Sequence, residues 1–326
     1  MTRAKIELGR QLFFDRRLSA DNSVSCASCH EPDKGYSVAT PFAVGIHGNK
    51  TKRNPPTLLN RVTLSLGDDK QFWDGRGLSV EDALLHALAD PTEMAATPEV
   101  TIELLNSIGG YRMQFETIYG SVSWAAIGDS IGCFVRNLVT GTSPYDYHGR
   151  WQTIKDADPE DMANDPEYPA AYQQAKSDAE AFPMSASAVR GEASFFGNKA
   201  WCSACHNGVN FTDELYHNTG VGLDSDAPDL GRYSITQRIG DWGAFKTPTI
   251  RNAVYTAPYM HDGSLASLED VVAWYAHEGL PNRNLDYRYE RIQRDELNSQ
   301  DQQDLVEFIK SCSGPLPNVE TGRLPQ

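Results

Sequence analysis

Two pentapeptides in this chain carry the same chemistry. Cys26-Ala27-Ser28-Cys29-His30 recurs as Cys202-Ser203-Ala204-Cys205-His206. Two thiols separated by two residues and followed at once by an imidazole form the attachment signature of a c-type haem. The thiols add across the two vinyl groups of the porphyrin. The histidine reaches the iron from one side as its axial ligand. A structural zinc site would need a second Cys-x-x-Cys or a His-x-His nearby, and neither stretch has one. The pair of motifs predicts two covalently bound haems. Cys26, Cys29, Cys202 and Cys205 are the attachment thiols, and His30 and His206 the iron ligands.

The elements that must position these residues read as helices. Residues 4–14 place Leu8, Leu12 and Phe13 on one face. Ser79 with Asp82 forms a capping box, opening a helix whose apolar stripe is Val80, Ala83, Leu84, Ala87 and Leu88. Further helices are expected over 99–108, 122–140, 167–179 and 185–197. Ser267 opens another that Gly279 ends. Ser299 with Gln302 caps the last, and Gly314 ends it. Residues 32–56 and 207–250 read as long loops. No strand alternation and no internal repeat beyond the two motifs is evident. A chain of 326 residues suggests about two domains. The polar stretch 141–165, with Pro144 and Pro159, is the candidate boundary. The expected fold is mainly α: two cytochrome-c-like domains, 1–150 and 151–326, each with one haem, long loops and little sheet.

Composition narrows the function. Lys and Arg total 29 against 44 Asp and Glu, a formal charge of −15. Such a surface repels nucleic acid and anionic membranes and suits a basic patch on a redox partner. No apolar run has the length of a membrane span. Four of the six Cys belong to the motifs. Cys133 and Cys312 remain, either as small buried side chains or as a disulfide. Haem is attached outside the bacterial cytoplasm, so the expected location is periplasmic. Met1-Thr2-Arg3-Ala4-Lys5 lacks the apolar core of a signal peptide, so the sequence reads as a mature or trimmed form.

Further blocks run in order along the chain. They are Leu8-Gly9-Arg10-Gln11-Leu12-Phe13-Phe14-Asp15, Arg53-Asn54-Pro55-Pro56-Thr57, Phe72-Trp73-Asp74-Gly75-Arg76 and Asp90-Pro91-Thr92-Glu93-Met94. Thr247-Pro248-Thr249-Ile250-Arg251-Asn252 and Ala257-Pro258-Tyr259-Met260-His261-Asp262-Gly263 follow. With the two motifs, from about Leu8 to Phe308, they resemble the bacterial di-haem cytochrome c peroxidases and their relatives of the MauG type. The resemblance implies a peroxide-reactive first haem, a second haem that transfers electrons or shares oxidising equivalents, and one calcium ion between them.

The same resemblance assigns residues. Trp73 matches the tryptophan between the haems; alone it would be read as a core aromatic. Glu93, 20 residues on, matches the distal glutamate, which takes a proton from peroxide and returns it to the departing oxygen. Where the peroxidases carry Gln and Pro facing the distal pocket, this chain has Ala83 and Ala87, which implies a roomier pocket or one filled by another group. His47, in the loop where some peroxidases hold a blocking ligand, and His86 are candidates for a resting ligand of the first iron. Tyr275 lies where peroxidases with an electron-donating second haem carry Met and MauG-type enzymes carry Tyr. Thr256 and Pro258 stand 19 and 17 residues before it, as the family's calcium positions do. A phenolate stabilises oxidised iron, whereas a thioether favours the ferrous state; Met260 is the competing ligand. Calcium would take the side-chain oxygen of Asn54 and the carbonyls of Thr256 and Pro258. Arg53 and Arg251 would neutralise haem propionates. Trp201, beside Cys202, would pass oxidising equivalents outward.

The expected activity is that of a peroxidase-type oxidoreductase acting on hydrogen peroxide. Both haems share the oxidising equivalents and withdraw electrons from a partner protein. Two alternatives stand beside it. One is a cytochrome c peroxidase fed by a small cytochrome or cupredoxin. The other is a non-catalytic di-haem electron carrier, with the first iron closed by His47 or His86.

Overall fold

The computed structural model describes residues 1–61, 70–156, 158, 165–277, 282–292 and 296–326. Pro159 and Gly279, the expected boundary residue and helix stop, lie outside the described residues. The architecture is helical. In the first half, α1 (Arg3–Phe14), α2 (Val80–Ala89), α3 (Pro98–Ser107), α4 (Gly109–Tyr119) and α5 (Trp124–Arg136) surround one hydrophobic cluster. In the second, α6 (Pro144–Ile154), α7 (Tyr168–Ala181), α8 (Ala186–Phe196), α9 (Leu268–Ala276) and α10 (Ser299–Ser311) accompany another. Sheet among the described residues is one short antiparallel pair, β1 (Tyr216–His217) with β2 (Phe245–Lys246).

Each half is built on a helix crossing of unusual closeness. On α1, a Cβ added to Gly9 would stand 1.9 Å from the Ser130 carbonyl oxygen of α5. On α8, a Cβ on Gly191 would stand 1.9 Å from the Asp304 carbonyl oxygen of α10. Four residues after each glycine a phenylalanine is buried. Phe13 meets Phe134 at 5.1 Å between ring centroids, and Phe195 meets Phe308 at 4.8 Å. The Gly-x-x-x-Phe pair is therefore an internal repeat, contrary to the expectation of none beyond the motifs.

Helix starts follow local chemistry. Ser79 accepts from the Asp82 N–H to open α2, and Ser267 with Asp270 forms a reciprocal box on α9. On α10 the cap is Asn298, not Ser299; its side chain accepts from the Gln300 and Asp301 N–H groups while Asp301 reciprocates. Asn competes for that position as well as Ser does. Two of these ten helices were not anticipated. α4 begins at Gly109-Gly110, which gives no start signal. α6 lies inside the expected boundary stretch, opened by Ser143, Pro144 and the reciprocal Asp146. Its Tyr145 packs on Phe211 and Phe308. The chain thus changes cores just ahead of Ser143, a few residues before 150.

The last residues return to the first half. Leu316 and Val319 pack on its core. Arg10 donates to the Glu320 carbonyl at 2.8 Å and to that of Thr321 at 2.5 Å. Arg17 donates to the Pro325 carbonyl at 3.0 Å. Cys133 and Cys312 are buried free thiols. Among the described residues, no helix is long and apolar enough to cross a membrane.

A methyl group cannot fit at either crossing without separating the helices. Gly191→Ala should cost about 3 kcal/mol or more, read as a lower urea midpoint. Gly149→Ala, on α6 with open space around it, should be neutral or stabilising by up to about 1 kcal/mol.

Candidate active site

The two motifs open onto one continuous cavity between the halves. His30, Leu84 and Ala87 line it from the first half, and Cys202, Cys205, His206 and Tyr275 from the second. Each motif histidine is fixed in the same way. The Nδ1–H of His30 donates to the Tyr36 carbonyl at 2.9 Å. That of His206 donates to the Phe211 carbonyl at 3.1 Å. A carbonyl only accepts, so the proton sits on Nδ1 and Nε2 keeps its lone pair. Burial pushes both imidazoles below their ordinary pKa and keeps them neutral. Burial also pushes the thiols up, Cys26 to about 12 and Cys29 to about 11. Neutral imidazoles with free Nε2, thiols beside them and a largely apolar cavity fit two covalent haems.

Trp73 stands where the halves meet and lines the same cavity. Its indole N–H donates to the Asn54 carbonyl at 2.8 Å. Its own carbonyl accepts the Lys246 N–H at 2.8 Å. His261 lies edge-on to it, 6.5 Å between centroids, and stacks on Phe245 at 3.6 Å. Burial pulls the His261 pKa down to about 4, so this ring is neutral.

Glu93 follows a turn after α2. A smaller cavity of about 240 Å³ lies beside it, lined by Phe72, Arg76, His86, Ala87, Ala89, Asp90 and Glu93. Phe72 and Ala87 line both cavities. Burial, and secondarily the charge of Asp90, push the Glu93 carboxyl up to about 7; Arg76 pulls the other way. Ala83 lines the larger cavity with Ala87, one helical turn apart.

The histidines considered as resting ligands lie elsewhere. The side chain of His47 is 68% exposed, 3.5 Å from Asp21. His86 is exposed at the smaller cavity, 3.7 Å from Asp82. Neither lines the larger cavity. The His47 loop is nonetheless tied to the distal residue, since the Ile46 N–H donates to the Glu93 carbonyl at 2.9 Å.

Tyr275 and Met260 both face the larger cavity. Tyr275 is on α9, and its phenol is pushed up by burial, then by Tyr289, Cys205 and Cys202. The phenol therefore stands near the second motif. Asn54, Thr256 and Pro258 share the cavity wall. Asn54 spends its amide N–H groups on the Thr40 and Pro41 carbonyls at 3.1 and 3.3 Å. Trp201 is part of the wall, with the Arg291 guanidinium 5.0 Å from its ring centroid.

Arg53 and Arg251 are matched by carboxylates of the chain. Arg53 binds Asp74 at 2.7 Å and Asp229 at 2.6 Å. Arg251 binds Asp146 at 2.8 Å. Neither lines the cavity. Among the described residues, the Arg and Lys side chains that do are Arg61, Lys246 and Arg288, and no motif marks them in the sequence. Lys246 meets Glu214 at 2.5 Å. His217 was also not anticipated. Its Nδ1 meets Asp286 at 2.7 Å and its Nε2 meets Asp213 at 2.9 Å. Burial alone would lower this imidazole, but Asp213 and Asp286, with Cys205 adding to them, outweigh it and push it up to about 11. Cys205, Asp213 and His217 lie within 4.8 Å of one another. With both ring nitrogens spent on carboxylates, His217 is an imidazolium rather than a metal ligand.

Residues 3–153 match the family described as di-haem cytochrome c peroxidase. Over its full length the chain is 33% identical to the methylamine utilization protein MauG of Methylophilus methylotrophus, covering 87% of that protein. It is 31% identical over 98% of its length to the cytochrome c551 peroxidase of Pseudomonas aeruginosa, covering 82% of it. A crystal structure of a MauG-like protein associated with microbial copper homeostasis superimposes with a TM-score of 0.77. That comparison has 28% identity and covers 96% of this chain and 90% of the other. The chain belongs to the di-haem cytochrome c peroxidase family, a family of peroxide-using oxidoreductases with two c-type haems.

The His217 cluster generates a pH test. Its pKa is raised on folding, so its contribution to stability is full below the unfolded value of about 6.5. It is lost as pH rises towards 11. Urea midpoints should fall between pH 7 and 10, and His217→Gln should flatten that slope.

Proposed function

We propose that this member of the di-haem cytochrome c peroxidase family is a periplasmic enzyme that uses hydrogen peroxide to withdraw electrons from a partner protein, as the MauG branch does. The observation that carries the reading is Tyr275: a half-buried phenol on α9, facing the cavity beside Cys202 and Cys205. When bound, the haems supply the redox chemistry, accepting two electrons' worth of oxidation from peroxide and holding it. His30 and His206 would hold the two irons, and Tyr275 would be a further ligand of the second. An anionic oxygen ligand favours the more oxidised metal.

The remaining work falls to side chains of the chain. Glu93, poised near neutrality, takes the proton of the arriving peroxide and gives it to the departing oxygen. Trp73 carries oxidising equivalents between the halves. Its N–H rests on an amide carbonyl, which is no base, so an oxidised indole keeps its proton and electron exchange is reversible. Asn54, Thr256 and Pro258 would hold calcium through oxygen atoms; the amide protons of Asn54 already point to carbonyls, which orients its oxygen away from them. Lys246, Arg61 and Arg288 are better placed than Arg53 or Arg251 to meet propionates. His47 and His86, both outside the larger cavity, give little support to a closed electron carrier. A cytochrome c peroxidase remains the second reading, because Met260 faces the cavity too.

Two measurements test these roles. Stopped-flow absorption of the fully ferric protein with one equivalent of peroxide should show immediate two-electron oxidation without added reductant, lost in Tyr275→Phe. Reaction only after one haem is reduced would mean the second reading. The rate of peroxide consumption should rise with pH through about 7, as Glu93 ionises. Glu93→Gln should abolish that dependence and slow the step by about 10²- to 10⁴-fold.

A further inference from the structure

The smaller cavity has more room than hydrogen peroxide needs. A water molecule's share of liquid volume is about 30 Å³, and peroxide is one oxygen larger. The cavity beside Glu93 measures about 240 Å³. It shares Phe72 and Ala87 with the larger cavity, so it is the antechamber of the His30 half. The side chains at the junction are the Phe72 ring and the Ala87 methyl, and Ala89 adds a second methyl to the wall of the smaller cavity. Arg76 belongs to the same wall, its guanidinium over Phe72, 3.7 Å from the ring centroid, and 3.1 Å from Asp74. The pocket has an apolar side of Phe72, Ala87 and Ala89 and a polar side of Arg76, His86, Asp90 and Glu93, of which Glu93 is the group assigned to proton transfer.

We infer that the distal pocket accepts small organic hydroperoxides, R–O–O–H with a compact apolar R, as well as hydrogen peroxide. This inference rests on the peroxidase reading above. The R group packs on the Phe72 and Ala87 side while the O–O–H end faces Glu93. The O–O bond breaks with uptake of two electrons and two protons, and the alcohol R–O–H and water leave. The electrons come from the protein redox partner. Glu93 handles the same proton whether the distal substituent is H or alkyl.

The test compares tert-butyl hydroperoxide with hydrogen peroxide on the di-haem protein. The native enzyme should use both. In Ala87→Leu the ratio of the two kcat/KM values should shift against the organic substrate by at least about tenfold, the scale of a few misplaced methylenes in a pocket. A readout independent of turnover is ligand binding to the ferric protein, followed by the shift of its visible spectrum. The affinity for 4-phenylimidazole relative to imidazole should fall in the same variant. Should Ala87→Leu not fold, Ala89→Phe at the exposed rim gives the same two ratios. Native enzyme that consumes hydrogen peroxide but not tert-butyl hydroperoxide would overturn the inference and leave the peroxidase reading standing. Failure with both peroxides would overturn both. Use of both with ratios unmoved by either substitution would also overturn it, since the antechamber would not be the place where R is held.

Discussion

Each half of the molecule depends on one point where two helix backbones touch. At Gly9 and at Gly191 the facing carbonyl occupies the space a side chain would need. The contact fixes both the distance and the crossing of the two helices. Phe13 and Phe195, one turn later, fill the corner that the crossing makes. The haem-binding motif leaves the end of α1 or α8 shortly afterwards, so the positions of its thiols and imidazole are referred back to this crossing. Interiors are packed as densely as crystals, and a shift of the crossing would pass directly to the motif.

A second level of fixing is electrostatic. Main-chain carbonyls of Tyr36 and Phe211 decide which nitrogen of each motif histidine carries the proton. Trp73 is held to Asn54 by its side chain and to Lys246 by its backbone. Arg53 joins Asp74 to Asp229 across the same seam. Groups held this way move little when charge passes, which keeps the reorganisation cost of electron transfer low. The site is thus preorganised by backbone groups and short ion pairs rather than by the long flexible side chains that line its edge.

The parts of this design that are local in sequence were legible there. The motifs announce their chemistry through spacing, and the helices through apolar period and capping residues such as Ser79 and Ser267. The resemblance pointed to Glu93, Trp73 and Tyr275, and the cavity walls include all three positions. What was not legible depends on distant partners. Gly-x-x-x-Phe is too short to stand out until both copies are seen against their crossing helices. α6 was hidden because its polar composition outweighed its good start signal at Ser143. Arg53 and Arg251 drew attention as cations near the right blocks, yet carboxylates far along the chain claim them. Lys246 and His217 carry no local mark, since their surroundings are assembled from residues such as Glu214 and Asp286.

The return of the C-terminal residues to the first half bears on the order of assembly. Domains tend to fold as units, yet the first half is not built from the first residues alone. Here the partners of Arg10 and Arg17 are carbonyls at Glu320, Thr321 and Pro325. Leu316 and Val319 complete the core begun by Leu8 and Leu12. The first half therefore closes only with residues 316–325 in place. Residues 316–325 thus act as a clasp on the first half, making its closure depend on a segment some 310 residues further along the chain.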